Sequence, residues 1–198
     1  MSKKLRVLAG AAVAVLVVAA LAIGAPSAGP SAGSTESAQT LAGARALIAT
    51  GERLDTIPKA VWQQLLTPEQ YEVLWRGATE RPFTGALHDN KQVGTYLTAG
   101  CRLPVFHSRD KYDSGTGWPS FRDVLEPGNI VLKPDWAWGM RRTEVLSKCG
   151  EHLGHVFEDG PPPTGLRYCL NSAALVFVPE DASNPPPGNP SKAAPASP

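Results

Sequence analysis

Apolar residues change their spacing near residue 80 of this 198-residue chain. From residue 82 onward they come in short runs, at 94–97, 103–106, 130–132 and 174–178, with glycine or proline between them. Short apolar runs separated by turn residues are typical of strands in a compact β domain. Residues 57–78 carry helix signals instead, because Thr67 can cap a helix, Pro68 suits its first position and Gln70 completes a capping box. The pattern predicts a short amphipathic helix followed by a β-rich domain.

The N-terminal segment has the pattern of an export signal. Lys3, Lys4 and Arg6 precede an uncharged apolar run over residues 7–25, and small residues follow it. The run is also just long enough to span a bilayer, so residues 1–25 are either a signal peptide or an N-terminal membrane anchor. We therefore expect an extracytoplasmic protein, periplasmic or secreted, with membrane attachment left open.

Two segments lack the large apolar residues that a fold needs. Residues 26–43 and 181–198 are rich in proline, alanine and serine, and such composition predicts a disordered linker and a disordered tail. One domain remains, at residues 44–180. With 19 basic and 18 acidic residues and no basic stripe, the chain gives no indication of a nucleic-acid partner, so the expected ligand is a small molecule or a peptide.

The last apolar segment contains a cysteine between polar neighbours. If residues 166–178 form a strand, Arg167, Cys169 and Asn171 share one face, because side chains alternate along a strand. A guanidinium beside a thiol favours the thiolate, which is the nucleophilic form. The structural alternative is an inert core cysteine, but Arg167 and Asn171 on the same face are costly in a dry core.

A histidine pair precedes this segment. His152 and His155 titrate near neutral pH, so either can donate a proton to a leaving oxygen, and Asp159 can fix the tautomer of a ring. Metal binding is a rival interpretation, because Cys149, His152 and His155 have ligand-like spacing and Cys169 can complete a tetrahedral zinc site. Two ordinary histidines, one at the surface and one packed, are the third reading.

A glycine-rich loop over residues 113–121 contains Trp118. Its two glycines and its proline predict a shaped loop rather than a regular element. An indole held on such a loop can form an apolar wall for a methyl or thioether group. The same tryptophan can equally be a core anchor.

Taken together, these segments resemble the B-type methionine sulfoxide reductase family. The resemblance covers about 115 residues, 66–180, and runs through ordered motifs at 66–71, 77–85, 113–121, 152–157, 159–160, 163–165, 167–169 and 171–173. It implies a mainly β fold of two antiparallel sheets, of the β-tent, Mss4-like type, with a few short flanking helices. It also implies a peptide-methionine (R)-S-oxide reductase that repairs oxidised methionine in proteins or peptides.

The resemblance also implies a role for each candidate residue. Cys169 attacks the sulfoxide sulfur and ends as a sulfenic acid. The oxygen is bound and protonated by His155 and His152 with Asn171, while Arg167 and Asp159 orient and polarise that group. Trp118 packs against the substrate methyl.

Relatives with a structural zinc hold it through two Cys-x-x-Cys pairs, and each pair is incomplete here. Cys101 and Cys149 remain, whereas Thr98 and Leu146 occupy the other two positions. We therefore expect no zinc and no other cofactor. The surviving cysteines correspond to ligands of one metal, so the resemblance and the expected export together predict a Cys101–Cys149 disulfide.

Some relatives carry a second, resolving cysteine where this chain has Thr116. Its absence favours an external thioredoxin-like protein as electron donor, with Cys101 or Cys149 reaching Cys169 after a rearrangement as the alternative. Two other functions are alternatives to the reductase: a silent binding module for methionine peptides, and a metal-binding protein. The binding module is disfavoured because a protein that only binds has no need for the nucleophile Cys169. The metal content of the purified protein tests the metal-binding alternative.

Overall fold

The computed structural model describes residues 40–136, 139 and 141–180. The predicted signal or anchor at 1–25, the predicted tail at 181–198 and most of the predicted linker lie outside the described residues. Within those ranges, no helix has the length and apolar character needed to cross a membrane.

Three α-helices begin the described chain: α1 (Leu41–Thr50), α2 (Lys59–Leu65) and α3 (Pro68–Arg76). Helix α1 begins inside the segment predicted to be linker up to residue 43. The side-chain oxygen of Thr40 accepts a hydrogen bond from the Gly43 amide at 3.0 Å, which caps the helix, and Ala44 is fully buried. The cap and this burial allow a segment of small residues to form a helix.

The helix signals at residues 57–78 correspond to two helices, α2 and α3. The break falls at the predicted cap, where Thr67 accepts from the Gln70 amide at 3.2 Å and the Gln70 side chain accepts from the Thr67 amide at 3.0 Å. Pro68 is the first residue of α3, and Gly77 ends the helix in the left-handed conformation. The capping-box prediction is confirmed.

The described residues then form nine strands, and all their pairings are antiparallel: β1 (Gly94–Thr98), β2 (Pro104–His107), β3 (Lys111–Tyr112), β4 (Ser120–Phe121), β5 (Ile130–Asp135), β6 (Arg142–Ser147), β7 (His152–Phe157), β8 (Arg167–Leu170) and β9 (Leu175–Pro179). One sheet has the order β2-β1-β9 and the other has the order β3-β4-β8-β7-β6-β5. Short 3-10 turns cover Leu54–Thr56, Ser108–Asp110, Pro127–Asn129 and Ser172–Ala174. The predicted mainly β class with two antiparallel sheets is confirmed.

Aromatic side chains from both sheets form the centre of the core. Phe106 of β2 lies between Phe121 and Tyr168, with ring centroids 4.7 Å and 5.5 Å away, and Phe121 also contacts Tyr96 of β1 at 4.9 Å. Tyr96, Phe106 and Phe121 are fully buried. Burial of such rings stabilises the fold by about 2 kcal/mol each, which fixes the short strands β4 and β8 in place.

The predicted single strand at residues 166–178 is in fact two strands in different sheets. Strand β8 pairs with β4 and β7, whereas β9 pairs with β1. The 3-10 turn between them is held by the carboxylate of Glu80, which accepts from the amides of Ser172 at 2.7 Å and Ala173 at 3.0 Å. Two charge-assisted bonds to adjacent amides divert the chain where the local sequence favours a continuous strand.

Candidate active site

Cys169 lies near the middle of the six-stranded sheet. Strand β8 is flanked by β4 and β7, and Cys169 is directly opposite Ser120 on one side and His155 on the other. Residues that are directly opposite in an antiparallel pair project to the same face. The pairing therefore brings a thiol, a hydroxyl and an imidazole together from three separate segments of the sequence.

A cleft of about 130 Å³ opens beside the sulfur of Cys169. Its walls include three residues predicted from the sequence, Trp118, His155 and Asn171, together with Arg142 and Thr79, which were not predicted. The volume suits the end of a methionine-sized side chain. Arg142 was missed because its proximity to Cys169 depends on the order β8-β7-β6 within the sheet.

Each of the two histidines is bound by a carboxylate that sequence reasoning missed. His155 Nε2 lies 2.9 Å from Asp135 Oδ2, and His152 Nδ1 lies 2.7 Å from Glu144 Oε1. The suggestion that Asp159 fixes the tautomer of a histidine is therefore wrong. The sequence gives little indication of these two contacts. Asp135 lies in β5 and Glu144 in β6, and nothing in their spacing marks them as partners of histidines in β7.

His155 lines the cleft, whereas His152 is buried behind it with the ring centroids 5.5 Å apart. Burial lowers the pKa of His155 below its ordinary value, and the nearby charges of Arg142 and His152 act in the same direction, against the hydrogen bond to Asp135. His155 is therefore mainly neutral at neutral pH.

Arg167 and Asp159 form a bidentate ion pair with nitrogen–oxygen distances of 2.8 and 2.9 Å. The Arg167 guanidinium also lies 4.4 Å above the centroid of the Phe157 ring. The guanidinium beside Asp159 lowers the pKa of that carboxyl, so the pair stays ionised at neutral pH. Neither residue lines the cleft that contains Cys169, and both line a separate cleft.

Burial raises the pKa of the Cys169 thiol above its ordinary value. Hydrogen bonds from Thr116 and Ser120 and the charge of Arg167 oppose part of that rise, and Thr116 Oγ1 lies 3.8 Å from the sulfur. The expectation that Arg167 makes the thiolate the resting form is thus outweighed by desolvation. In the resting protein the proton lies on the sulfur.

Trp118 and Asn171 are positioned by one residue, Glu80. The Trp118 indole donates to the Glu80 carbonyl at 3.2 Å, and the Glu80 amide donates to Asn171 Oδ1 at 3.0 Å. The loop before Trp118 approaches the same segment closely. Gly117 has φ 88°, its carbonyl accepts from the Phe83 amide at 2.8 Å, and a Cβ there would lie 2.7 Å from that nitrogen. Glu80 lies in the motif at residues 77–85, which is part of the family resemblance. The resemblance itself implies no role for this residue.

Cys101 and Cys149 form a disulfide, which is the predicted pair, and Cys169 is a free thiol. The carboxylate of the fully buried Glu151 lies beside the disulfide, accepting from the Cys101 amide at 3.0 Å. In the described part of the chain, Cys101, Cys149 and Glu151 are the one group with metal-like spacing.

Those residues do not fit the tetrathiolate zinc site of relatives. Two of the three potential ligands are joined in the disulfide, and Thr98 uses its side-chain oxygen to accept from the Leu103 amide. The rival metal site of Cys149, His152, His155 and Cys169 is not assembled among the described residues either.

Comparison with known proteins identifies the family. A family model described as the SelR domain matches residues 66–179. The chain is 54% identical over 121 residues to a peptide methionine sulfoxide reductase MsrB of Methanosarcina barkeri, covering 61% of this chain and 85% of that protein. It is 55% identical over 120 residues to the enzyme of the same name from Leptospira interrogans, covering 60% and 92%. The matched region contains the whole cleft around Cys169, and the chain belongs to the SelR-domain family of B-type methionine-R-sulfoxide reductases.

Proposed function

We propose that this chain reduces methionine-R-sulfoxide in exported proteins, with Cys169 as the nucleophile and a Cys169 sulfenic acid as the intermediate. Membership of the family carries the overall reaction and its role in protein repair. The observation that supports the assignment of the nucleophile is the position of Cys169. It is the free thiol of the described chain, and it shares the cleft with an imidazole, an amide and an indole.

The thiol and the imidazole together supply the proton that the reaction needs. Burial raises the pKa of Cys169 and lowers the pKa of His155, so the resting pair is a thiol beside a neutral ring. When the sulfoxide binds, the proton moves from sulfur to the sulfoxide oxygen, with His155 as the relay. The thiolate then attacks the sulfoxide sulfur, the oxygen passes to Cys169, and methionine leaves with the electron pair.

The carboxylates behind the histidines set the ring positions. Asp135 lies between His155 and Arg142, with its Oδ2 2.9 Å from the ring nitrogen and 2.7 Å from Arg142 Nη2. This arrangement holds the ring against the cleft and offsets part of the cost of a transient positive charge on it. Asn171 donates its amide to the Leu153 carbonyl at 3.1 Å, which fixes its orientation at the cleft wall.

Trp118 supports selection of the R epimer. Its indole forms one wall of the cleft, and His155 and Asn171 form the polar part. A sulfoxide sulfur carries a methyl, an oxygen and a side-chain stem, so an apolar wall, a polar wall and the attacking sulfur of Cys169 together fix three directions and accept one handedness only. With the methyl against Trp118 and the oxygen toward His155, the opposite epimer places its oxygen against the indole.

Two further parts of the proposal concern the setting of the enzyme. The basic residues 3–6 and the apolar run over residues 7–25 support export, with the enzyme in the periplasm or secreted and either released or anchored.

Since Cys101 and Cys149 are bonded to each other, the electron donor is an external thioredoxin-like thiol protein.

Purified full chain should be assayed with the separate R and S epimers of a methionine-sulfoxide peptide and a small dithiol, alongside Cys169→Ser. We expect turnover of the R epimer alone and none in the variant. Cys149→Ser is a matched cysteine control that retains the nucleophile. Binding of the peptide without turnover, in protein shown to be folded, would refute the reductase function and support the binding module.

A further inference from the structure

Arg142 is the charged side chain of the cleft beside Cys169. Among the described residues that line this cleft, it is the one with a full charge at neutral pH, because His155 is mainly neutral there. Arg167, to which the family resemblance assigns the polarising role, does not line this cleft. The positive charge in the cleft lining is therefore that of Arg142.

The register of the sheet places the Arg142 side chain on the same face as the reacting sulfur. Glu144 of β6 is directly opposite His155 of β7, and His155 is directly opposite Cys169 of β8. Residues directly opposite each other project to one face, and residues two apart along a strand share a face. Arg142 is two residues before Glu144 in β6, so it projects to the face that carries Cys169.

Asp135 holds the guanidinium beside the imidazole. Its Oδ2 accepts from Arg142 Nη2 at 2.7 Å and lies 2.9 Å from His155 Nε2. One carboxylate oxygen thus fixes both groups in the same wall of the cleft. The Arg142 side chain remains 26% exposed, so a ligand in the cleft can reach it.

The Arg142 guanidinium has hydrogen-bond donors to spare. A guanidinium carries five N–H donors in a planar fork. Among the described residues, the bond to Asp135 is the one hydrogen bond of this guanidinium, and its Nε has no partner. Asn171 is instead held at both ends of its amide, because Oδ1 accepts from the Glu80 amide and Nδ2 donates to the Leu153 carbonyl. The polar wall therefore contains a fixed cation that can bind an acceptor.

We propose that Arg142 binds the oxygen of the sulfoxide and is the residue that distinguishes the oxidised side chain from methionine. The inference rests on the proposed function. The oxygen of a sulfoxide carries the negative end of a polar S–O bond, so it accepts a strong hydrogen bond from a guanidinium. A thioether sulfur is only a weak acceptor. Once the oxygen has left the substrate, Arg142 has no acceptor to bind, which favours release of methionine.

The test measures binding to the full chain with Cys169→Ser, which prevents turnover. Two peptides of one sequence, with methionine-R-sulfoxide or with methionine, are compared by calorimetry, and the ratio of their Kd values is the preference for the oxygen. Arg142→Met should lower this preference roughly tenfold to a hundredfold, as for loss of a hydrogen bond to a charged group, and should leave the Kd of the methionine peptide unchanged. Arg142→Lys should lose less, because lysine retains the charge without the planar fork.

Arg122→Met is the matched control. It also removes an arginine that binds an aspartate, since Arg122 Nε donates to Asp110 Oδ1 at 3.2 Å, but Arg122 does not line the cleft. Its preference should equal that of the Cys169→Ser parent. Three results would overturn the proposal: an unchanged preference in Arg142→Met, an equal loss of affinity for both peptides, or a parent that binds the two peptides equally well.

An indirect effect through His155 has a different pH dependence. The charge of Arg142 lowers the pKa of His155, so its removal raises that pKa, whereas at about pH 9 the ring is neutral with or without Arg142. A direct contact predicts that the loss of preference persists at that pH, and its recovery there would also overturn the proposal. The proposed function is judged separately, by turnover of the R epimer in the chain that retains Cys169, because a cleft can bind the oxygen selectively without reducing the sulfoxide.

Discussion

The Cys101–Cys149 disulfide should be the largest single contribution to stability that can be removed without touching the cleft around Cys169. The two cysteines are 48 residues apart in sequence. Closing a loop of that length in the unfolded chain is worth about 4 kcal/mol in the chain-entropy model. For a protein of this size, such a loss corresponds to a fall in Tm of roughly 8–16 °C.

The measurement is a mutant cycle by urea unfolding of the oxidised full-length protein. Cys101→Ala, Cys149→Ala and the double variant should each lose about the same free energy of unfolding, because either single change breaks the same bond. Cys169→Ala is the matched control, since it removes a thiol that is outside the disulfide. Wild type reduced beforehand should behave like the double variant.

Additivity would refute this reasoning. If the double variant loses the sum of the two single losses, and each single loss is below about 1 kcal/mol, no bond links the residues in solution. A large loss in one single variant alone would assign the effect to packing, since Cys101 is fully buried and Cys149 only partly so.

Three further outcomes follow from the site and its surroundings. The alkylation rate of Cys169 by iodoacetamide should rise with pH to a midpoint above 9.0, because burial raises the pKa of the thiol, and a midpoint near neutrality would contradict this. Glu80→Ala removes the carboxylate that holds the amides of Ser172 and Ala173, and with it the support of the backbone segment whose carbonyl and amide bind Trp118 and Asn171. It should lower kcat/KM roughly tenfold to a hundredfold, with Glu80→Gln intermediate, and unchanged kinetics in both variants would show that the site does not need this carboxylate. Burial also raises the pKa of Glu151, so wild-type stability should fall as pH rises from 4.5 through the folded-state pKa, and Glu151→Gln should abolish that slope in urea titrations.

Local chemistry explains which parts of the fold could be predicted. The capping box at Thr67 and the short apolar runs of the β domain involve residues close in sequence, and the structure confirms them. The break after β8 could not be read locally, because the residue that imposes it, Glu80, is 92 positions away from Ser172. A strand pattern alone does not reveal a carboxylate that binds its amides.

The candidate site also contains residues that the sequence predicts and others that it does not. Cys169, His155, Asn171 and Trp118 were predicted, and they do line one cleft. Asp135 was missed because its contact with His155 depends on the register of the β5–β6–β7 pairing. The protonation state of Cys169 was misjudged, since Arg167 is visible in the sequence whereas the extent of burial is not.

The pairing of β1 with β9 has a consequence for how the nucleophile matures. Strand β1 is synthesised early and has only β2 beside it until β9 leaves the ribosome. Cys169 lies in β8, just before β9, so the residues that line its cleft are all present only when nearly the whole described domain has been synthesised. A chain whose synthesis stops before Asn171 therefore lacks part of the cleft lining, and the reactive centre is completed near the end of synthesis.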